Sequence, residues 1–223
     1  MFDLYLGNKN YSSWSLRAWL LLKHLGLPFT EHMVSVAGRA RNPALKPIAG
    51  NARVPCLHDN GFQVWDSLSI AEYLAEKYPI LWPADRQARA RARSISAEMH
   101  AGFAALRTAM PMNLKLKLKG KPASVEVQRD VDRIVEIWEE ARQVFASGNG
   151  PYLFGNFTAA DAMYAPIAWR FHIYNVPLPT VAAAYRDAML AHPVMVAWYQ
   201  AALQETEAHE HYDRLAADYG GPR

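Results

Sequence analysis

Hydroxyl groups stand at a predicted helix start in the motif YSSWSLR, which covers residues 11–17 and follows a predicted strand. A helix N-terminus presents unpaired backbone N–H groups and a partial positive charge, so a hydroxyl there can help to hold an anion or a thiolate. The alternative interpretation is that Ser12 or Ser13 only caps the helix, which serine does routinely. The motif alone leaves both interpretations open.

A proline opens an otherwise apolar strand in the motif RVPCL, residues 53–57. Because proline has no N–H group, Pro55 is either an ordinary residue of a strand start or edge, or the site of a cis peptide bond. A cis bond after Val54 would turn the N–H and C=O groups of Val54 outward, where they can pair with an extended peptide. We interpret the neighbouring Cys56 as a small buried side chain rather than a reactive thiol.

A further strand-to-helix junction carries the motif WDSL, residues 65–68. The Ser67 hydroxyl and the first N–H groups of the helix can hold a carboxylate, while Asp66 can accept a hydrogen bond from an ammonium group. Alternatively, Asp66 is only a helix cap. The motif TAADA, residues 158–162, predicts a capping box between Thr158 and Asp161, and we assign that motif to folding rather than to a site.

The composition is typical of a folded chain, since 51% of the 223 residues are hydrophobic and 20% are charged. The net charge of +3 is too small for a dedicated nucleic-acid binder, so we interpret the basic runs at residues 86–93 and 114–121 as solvated faces. The apolar runs are far shorter than the ~18 residues of a membrane span, and the first residues lack the pattern of a secretory signal. We therefore expect neither nucleic acid nor a membrane as a partner.

The single cysteine excludes an internal disulfide, a Cys-X-X-Cys redox pair and a zinc site with several thiolates. This cysteine usage favours a reducing, cytoplasmic location. The histidines, the cysteine and the carboxylates show no spacing that is typical of a metal site, so we expect no metal.

Strand-like and helix-like segments alternate over residues 1–80, which predicts an α/β layer. The turn at Asn60-Gly61 suits a tight hairpin. The predicted strands are Phe2–Leu6, Phe29–Val34, Val54–His58 and Phe62–Trp65, and the predicted helices are Ser13–Leu25 and Ser67–Tyr78.

A short linker with Pro79, Trp82 and Pro83 precedes a second half that contains only helical patterns. The sequence therefore predicts two domains, at residues 1–80 and 86–223. The predicted helices of the second domain are Asp85–Ala109, Ser124–Ser147, Ala159–Tyr174, Thr180–Ala191 and Val194–Ala208.

At their observed spacing these motifs resemble those of the cytosolic glutathione transferase family, in particular its serine-type classes, zeta-like or bacterial. Residues 12–17 resemble the serine motif that opens the first helix, and Val54-Pro55 is similar to the family's Val followed by cis-Pro. Asp66-Ser67 and residues 158–162 are similar to its acid–serine pair and its buried capping box. The resemblance covers essentially the whole chain. It implies an N-terminal thioredoxin-like domain (α/β) followed by an all-helical (all-α) C-terminal domain.

The resemblance also implies a glutathione site in the first domain. It places the Ser12 hydroxyl at the glutathione sulfur, with Ser13 next in line. Many relatives carry proline at that second position, so in this chain either serine is a candidate to face the sulfur. The residues that it implies for the rest of the tripeptide are Val54, Pro55, Asp66, Ser67, Arg53 and, as a weaker candidate, Lys46.

The activity implied by the resemblance is activation of the glutathione thiol and its conjugation to a small hydrophobic electrophile, as in detoxification. The expected electrophile pocket lies on the helical domain, with Met99, Phe103, Met110 and Met112 as candidates; the same stripe also suits a core. Two alternatives are a glutathione-dependent cis–trans isomerase of the maleylacetoacetate isomerase type and a non-catalytic binding module of the same fold. A two-fold homodimer is implied as well.

Overall fold

The computed structural model of the protein describes residues 1–35, 42–146 and 150–214. Residues 38–51, whose glycine, arginine and proline content predicts a loop with at most one helical turn, lie partly outside these ranges, and the described part carries one 3-10 turn at Pro43–Leu45. The predicted helix end at Ser147 also lies outside the described residues. Within the described ranges, no helix is long and apolar enough to cross a membrane.

Four strands form one mixed sheet in the order β2-β1-β3-β4. Strand β1 pairs parallel with β2 and antiparallel with β3, while β3 and β4 form a hairpin. The hairpin turn uses positive φ angles at Asn60 and Gly61, which is the conformation that a tight turn requires. The strands are β1 (Phe2–Leu6), β2 (Phe29–Met33), β3 (Cys56–Asp59) and β4 (Phe62–Trp65).

Among the described residues, two α-helices belong to the sheet-containing half, and the other α-helices make up the second half. The bounds are α1 (Ser13–His24), α2 (Ser67–Lys77), α3 (Arg86–Ala101), α4 (Ala104–Ala109), α5 (Val125–Ala141), α6 (Ala159–Ile173), α7 (Thr180–Ala191), α8 (Pro193–Gln204) and α9 (Glu210–Asp213). The predicted alternation over residues 1–80 and the all-helical second half both correspond to this order.

Helix α6 is the central element, because nearly all of its side chains are buried and it packs against α1, α3 and α7. Within the helical half, the rings of Tyr164 and Phe171 on α6 contact the ring of Trp138 on α5, with centroids 6.1 and 5.2 Å away. Apolar side chains of the sheet, α1 and α6 belong to one continuous core. The start of α1 is therefore held in place relative to the helical half.

The single helix predicted over Asp85–Ala109 is wrong, because the chain breaks into α3 and α4 at Gly102 and Phe103. A Cβ on Gly102 would lie 2.8 Å from the backbone oxygen of Glu98, so this close approach requires glycine. Phe103 adopts the left-handed conformation at φ 59°. The Asp130 carboxylate then accepts the Leu106 N–H and caps the new helix.

The last predicted helix, Val194–Ala208, is shorter in the structure, since α8 ends at Gln204. Glu205 leaves the helix because its carboxylate accepts the backbone N–H groups of Lys9 and Asn10, at 2.7 and 2.9 Å. This contact brings the chain after α8 across the loop that follows β1. The cleft between the two halves thereby gains a third side.

Candidate active site

A cavity of about 720 Å³ lies between the two halves of the protein. Its first wall consists of three connections of the sheet half: the β1–α1 loop, the approach to β3 and the start of α2. The opposite wall consists of the end of α3 and of α4, and residues after α8 close one side. The three motifs that carry the sequence predictions for chemistry therefore meet in one cleft.

Ser12 is the residue before α1, but its side chain makes no capping hydrogen bond to the first turn. Instead, its hydroxyl donates to Oγ of Ser15 at 2.7 Å, and that oxygen also accepts the N–H of Gly7 at 3.0 Å. The structure therefore contradicts the interpretation of Ser12 as a side-chain cap.

Ser13 lines the same cleft, and its hydroxyl oxygen accepts a hydrogen bond from Nη2 of Arg170 on α6, at 3.3 Å. Arg170 is buried and also donates to the carbonyls of Met110 and Pro166, at 2.8 and 3.4 Å. Burial, together with the positive charge of Arg107, lowers the pKa of Arg170 to about 10, so the group stays charged at neutral pH.

The peptide bond between Val54 and Pro55 is cis. Val54 lies before β3 rather than within it, so the strand begins two residues later than predicted. Among the described residues, the backbone N–H and C=O of Val54 make no hydrogen bond and are free to pair with an extended ligand. Arg53, Val54 and Pro55 all line the cleft.

Asp66 both caps α2 and takes part in the cleft. Its Oδ1 accepts the Leu68 N–H at 2.8 Å, and its Oδ2 lies 2.6 Å from Nε2 of His100 on α3. The adjacent Ser67 side chain is 1% exposed, and its hydroxyl has no hydrogen-bond partner within the described part of the chain. Since buried hydroxyls nearly always have a partner, the Ser67 hydroxyl is a place for a ligand atom.

The indole of Trp14 lies between two guanidinium groups, those of Arg17 and Arg107, each 4.3 Å from the ring centroid. Arg17 is buried, its Nε and Nη1 lack partners among the described residues, and burial lowers its pKa to about 9. Arg107 uses its Nη1 for the carbonyls of His100 and Gly102, and burial lowers its pKa too. This part of the cleft is strongly basic.

Residues from the chain end form the third side of the cleft. The ring of Tyr11 stacks on Tyr212 at 5.3 Å and meets His209 edge-on at 4.8 Å. The Tyr11 hydroxyl donates to the Asp213 carboxylate at 2.9 Å, and burial together with that carboxylate raises the pKa of Tyr11. Tyr11 is thus a neutral aromatic side chain of this wall, and Asp213 accepts its hydroxyl proton.

The structure does not bring every predicted site residue to the cleft. Lys46 is exposed and does not line it. The four apolar candidates for the electrophile pocket are buried in the core and do not line it either: Met99, Phe103, Met110 and Met112. The residues of this region that line the cleft are His100, Ala101, Gly102, Ala104, Arg107 and Thr108.

Cys56 is fully buried, and burial raises the pKa of its thiol to about 11. It corresponds to the predicted small buried side chain. Among the described residues, no group of histidine, cysteine and carboxylate side chains could hold a metal ion.

Sequence reasoning missed the partners that α3, α4 and α6 supply: His100, Arg107 and Arg170. Trp14 and Arg17 belong to the first motif, so their type was visible, but their stacking depends on α4. No local signal could have identified Arg170, which lies 157 residues from Ser13 along the chain.

Comparisons with known proteins agree with this arrangement. Residues 11–77 match the N-terminal domain of glutathione S-transferases, and residues 124–201 match the C-terminal domain of the same family. A probable maleylacetoacetate isomerase of Caenorhabditis elegans is 30% identical over 185 residues, which cover 80% of this chain and 84% of the relative. The mouse glutathione S-transferase theta-1 is 34% identical over 89 residues, 38% of this chain and 37% of that protein.

The fold recurs in a crystal structure of a glutathione transferase homologue from Burkholderia strain BGR1 with bound glutathione. That chain has a TM-score of 0.69 and 24% identity, with 92% of this chain and 99% of that chain covered. The expected order of a thioredoxin-like domain and a helical domain is confirmed. Matches to both domains, together with a relative of this identity and coverage, show that the chain belongs to the glutathione S-transferase family.

Proposed function

We propose that the protein is a glutathione transferase that activates the glutathione thiol in this cleft and adds it to a small electrophile. The observation that carries this proposal is the set of unpaired polar groups on one wall. Ser67 offers a buried hydroxyl without a partner, and Val54 offers a free backbone N–H and C=O. A γ-linked tripeptide has the matching donors and acceptors.

In this proposal the cysteinyl part of glutathione pairs with the Val54 backbone, and the γ-glutamyl end lies at Asp66 and Ser67. Asp66 accepts from the ammonium group, while the hydroxyl and the backbone N–H of Ser67 hold the carboxylate at the start of α2. Arg53 is the candidate for the glycyl carboxylate, since it lines the cleft and Lys46 does not. The sulfur then lies at the start of α1, beside Ser12 and Ser13.

Thiol activation is an electrostatic task here. An ordinary thiol has a pKa of about 8.5, and lowering it by two units takes about 2.7 kcal/mol. One hydroxyl donor, the N–H groups at the start of α1 and the nearby guanidinium groups together supply stabilisation of that size. The thiol proton leaves to solvent, the thiolate attacks the electrophile, and no protein nucleophile takes part.

The experiment that tests this function compares thermal unfolding with and without millimolar glutathione, followed by conjugation to a chlorodinitrobenzene. A ligand that binds only the folded state raises the melting temperature. We expect a rise and turnover. A rise without turnover on any acceptor would favour the non-catalytic binding module, and no rise together with no retention on immobilised glutathione would contradict binding altogether.

A second candidate, a glutathione-dependent isomerase acting on an anionic unsaturated acid, is supported by the basic wall. Arg107 faces the cleft, and its Nε and Nη2 make no hydrogen bond within the described residues. Such donors suit a carboxylate on the acceptor. The relative from Caenorhabditis elegans carries the name of this activity.

Arg107→Gln distinguishes the two candidates. With a chloronitrobenzoate and the matching uncharged benzamide as acceptors, an anionic site predicts that the variant loses roughly tenfold more in kcat/KM for the benzoate than for the benzamide, or about 1.4 kcal/mol. Arg91→Gln, on the α3 surface at the Glu140 salt bridge, is the control. Equal losses with both acceptors would contradict an anionic acceptor.

We also propose a cytoplasmic location and a two-fold dimer. The location is supported by the single cysteine. The dimer is supported by two exposed aromatic side chains on the edge strand β4, Phe62 and Trp65, which are 65% and 42% exposed. Sedimentation of the wild type and of Phe62→Ser tests the dimer. We expect the variant dimer to dissociate at a higher protein concentration than the wild-type dimer does.

A further inference from the structure

The two adjacent serines at the start of α1 differ in what their hydroxyl protons do. The Ser12 hydroxyl donates its proton to Ser15 at 2.7 Å, within a chain that includes Gly7. The Ser13 hydroxyl only accepts, from Arg170, among the hydrogen bonds of the described residues. A hydroxyl carries one proton and two lone pairs, so the proton of Ser13 remains available for a ligand.

The donor to Ser13 is a fixed cation. Arg170 is 5% exposed, and the carbonyls of Met110 and Pro166 hold its Nε and Nη1, which leaves Nη2 directed at Ser13. A hydroxyl that accepts a hydrogen bond from a charged group is polarised and becomes a stronger donor itself.

The surroundings of Arg170 reinforce this effect. The charged and titratable groups that act on it are Arg107 on α4, Arg17 on α1, Tyr174 after α6 and Tyr212 on α9. The two arginines add positive potential at the start of α1. A negative sulfur is the charge that this cluster stabilises, and a neutral thiol gains nothing from it.

We propose that Ser13, rather than Ser12, donates the hydrogen bond to the glutathione thiolate, and that Arg170 is the positioning residue that orients and polarises Ser13. This inference rests on the proposed glutathione site. Helix α6 thereby takes part in thiol activation, although it contributes no atom to the tripeptide site. The thiol proton goes to solvent, Ser13 keeps its own proton, and no covalent bond to the protein forms.

The test is the pKa of the bound thiol, measured from the ultraviolet absorbance of the thiolate as pH is varied at saturating glutathione. We expect Ser13→Ala to raise that pKa by about one unit or more, and by more than Ser12→Ala does. At a pH below the new value, kcat should fall roughly tenfold, with a much smaller change in the KM for glutathione.

Arg170 is tested by a double-mutant cycle with Ser13. We expect Arg170→Gln to raise the bound-thiol pKa by clearly more in the wild type than in Ser13→Ala, where only the direct effect of the lost charge remains, and Arg170→Lys to restore part of the effect. Arg142→Gln is a matched control, since Arg142 also donates to two backbone carbonyls, those of Gly150 and Tyr152, away from the cleft.

Three outcomes would overturn the inference: an equal or larger rise in Ser12→Ala, a rise from Arg170→Gln that is as large in Ser13→Ala as in the wild type, or a similar rise in Arg142→Gln. If Arg170→Gln does not fold, Arg170→Lys and the two serine variants still decide the question. Failure of the wild type to be stabilised by glutathione would instead contradict the proposed function itself.

Discussion

Single side chains define the cleft through polar atoms that the protein leaves unpaired. The Ser67 hydroxyl lines the cleft and is buried without a partner among the described residues. Nε and Nη1 of Arg17, which stacks on the cleft residue Trp14, are likewise buried without partners among those residues. Each such atom costs free energy in the empty protein, because its hydrogen bonds to water are lost. A ligand that completes these bonds recovers that free energy, which favours binding over closure of the cleft by the chain itself.

Ser67→Ala should separate binding from folding. Because the hydroxyl has no partner, its removal should leave the melting temperature of the free protein unchanged or slightly raised. Glutathione affinity should fall about tenfold, or about 1.4 kcal/mol, in a calorimetric titration. Ser96→Ala is the control, since the Ser96 hydroxyl donates to the Ala92 carbonyl inside α3 and its loss should not change affinity.

The opposite pattern, a less stable protein with unchanged affinity, would contradict a ligand role for Ser67.

Sequence motifs predicted the cleft residues that lie next to the start of a helix or strand, because one local pattern sets both the backbone and the side chain there. Ser13, Val54 and Ser67 are of this kind. His100 and Arg107 were not predictable, because they reach the cleft only through the fold. The methionine stripe near Met99 lies in the core and not on the cleft surface, and apolar spacing alone identifies a buried face without saying what covers it.

At the scale of elements, helix α6 depends on its first turn. The Asp161 carboxylate is fully buried and accepts hydrogen bonds from the N–H groups of Leu153 and Thr158, the Thr158 hydroxyl and the Tyr185 hydroxyl. Burial raises the pKa of Asp161 to about 6, against the hydrogen bonds that lower it. The predicted capping box is present and joins three segments of the helical half.

Asp161→Ala should therefore destabilise the protein by about 3 kcal/mol or more, measured by urea unfolding, because four donors lose their acceptor in the interior. Asp85→Ala is the matched control. Asp85 caps α3 through one bond to the Ala88 N–H near the surface, and its loss should cost about 1 kcal/mol. Similar losses of unfolding free energy in the two variants would contradict the larger contribution to stability that we assign to Asp161.

Helix ends were predicted less well than helix positions. The sequence patterns for α6 and α7 locate both helices to within a residue, since a capping motif or a proline marks the ends. The break between α3 and α4 was missed because Gly102 is an isolated signal, and the contact that requires glycine is to the backbone of Glu98. Glu205 ends α8 through partners almost 200 residues away in the sequence.

At the scale of the whole molecule, the two halves also meet through a histidine pair. Nδ1 of His24 on α1 lies 3.3 Å from Nε2 of His192, whose Nδ1 accepts the Val194 N–H at the start of α8. Burial lowers the pKa of both histidines, and for His192 the charge of His24 contributes as well. Protonation of either ring therefore favours the unfolded chain.

The stability due to this pair should be complete above pH ~6.5, the value of an unfolded histidine, and should decrease as pH falls below it. We expect His24→Phe, whose ring can keep the contact with Phe157, to lose less stability than the wild type between pH 7.5 and 5.5, by at most ~1 kcal/mol. Lys23→Met is the control, and it should follow the wild type.

A loss of stability on acidification that is larger in His24→Phe than in the wild type would contradict this assignment. Asp161 acts in the opposite direction in every one of these variants, because its raised pKa makes protonation favour the folded state, so only differences between variants are informative.

The buried position of Cys56 has a consequence for a protein that handles electrophiles. Its sulfur is inaccessible and mostly protonated at neutral pH, so the reagents that the enzyme consumes meet no nucleophilic sulfur of its own. Alkylation of Cys56 then requires the sheet to open. Because the chain has one cysteine, the rate of maleimide labelling in the absence of glutathione thus reports global unfolding.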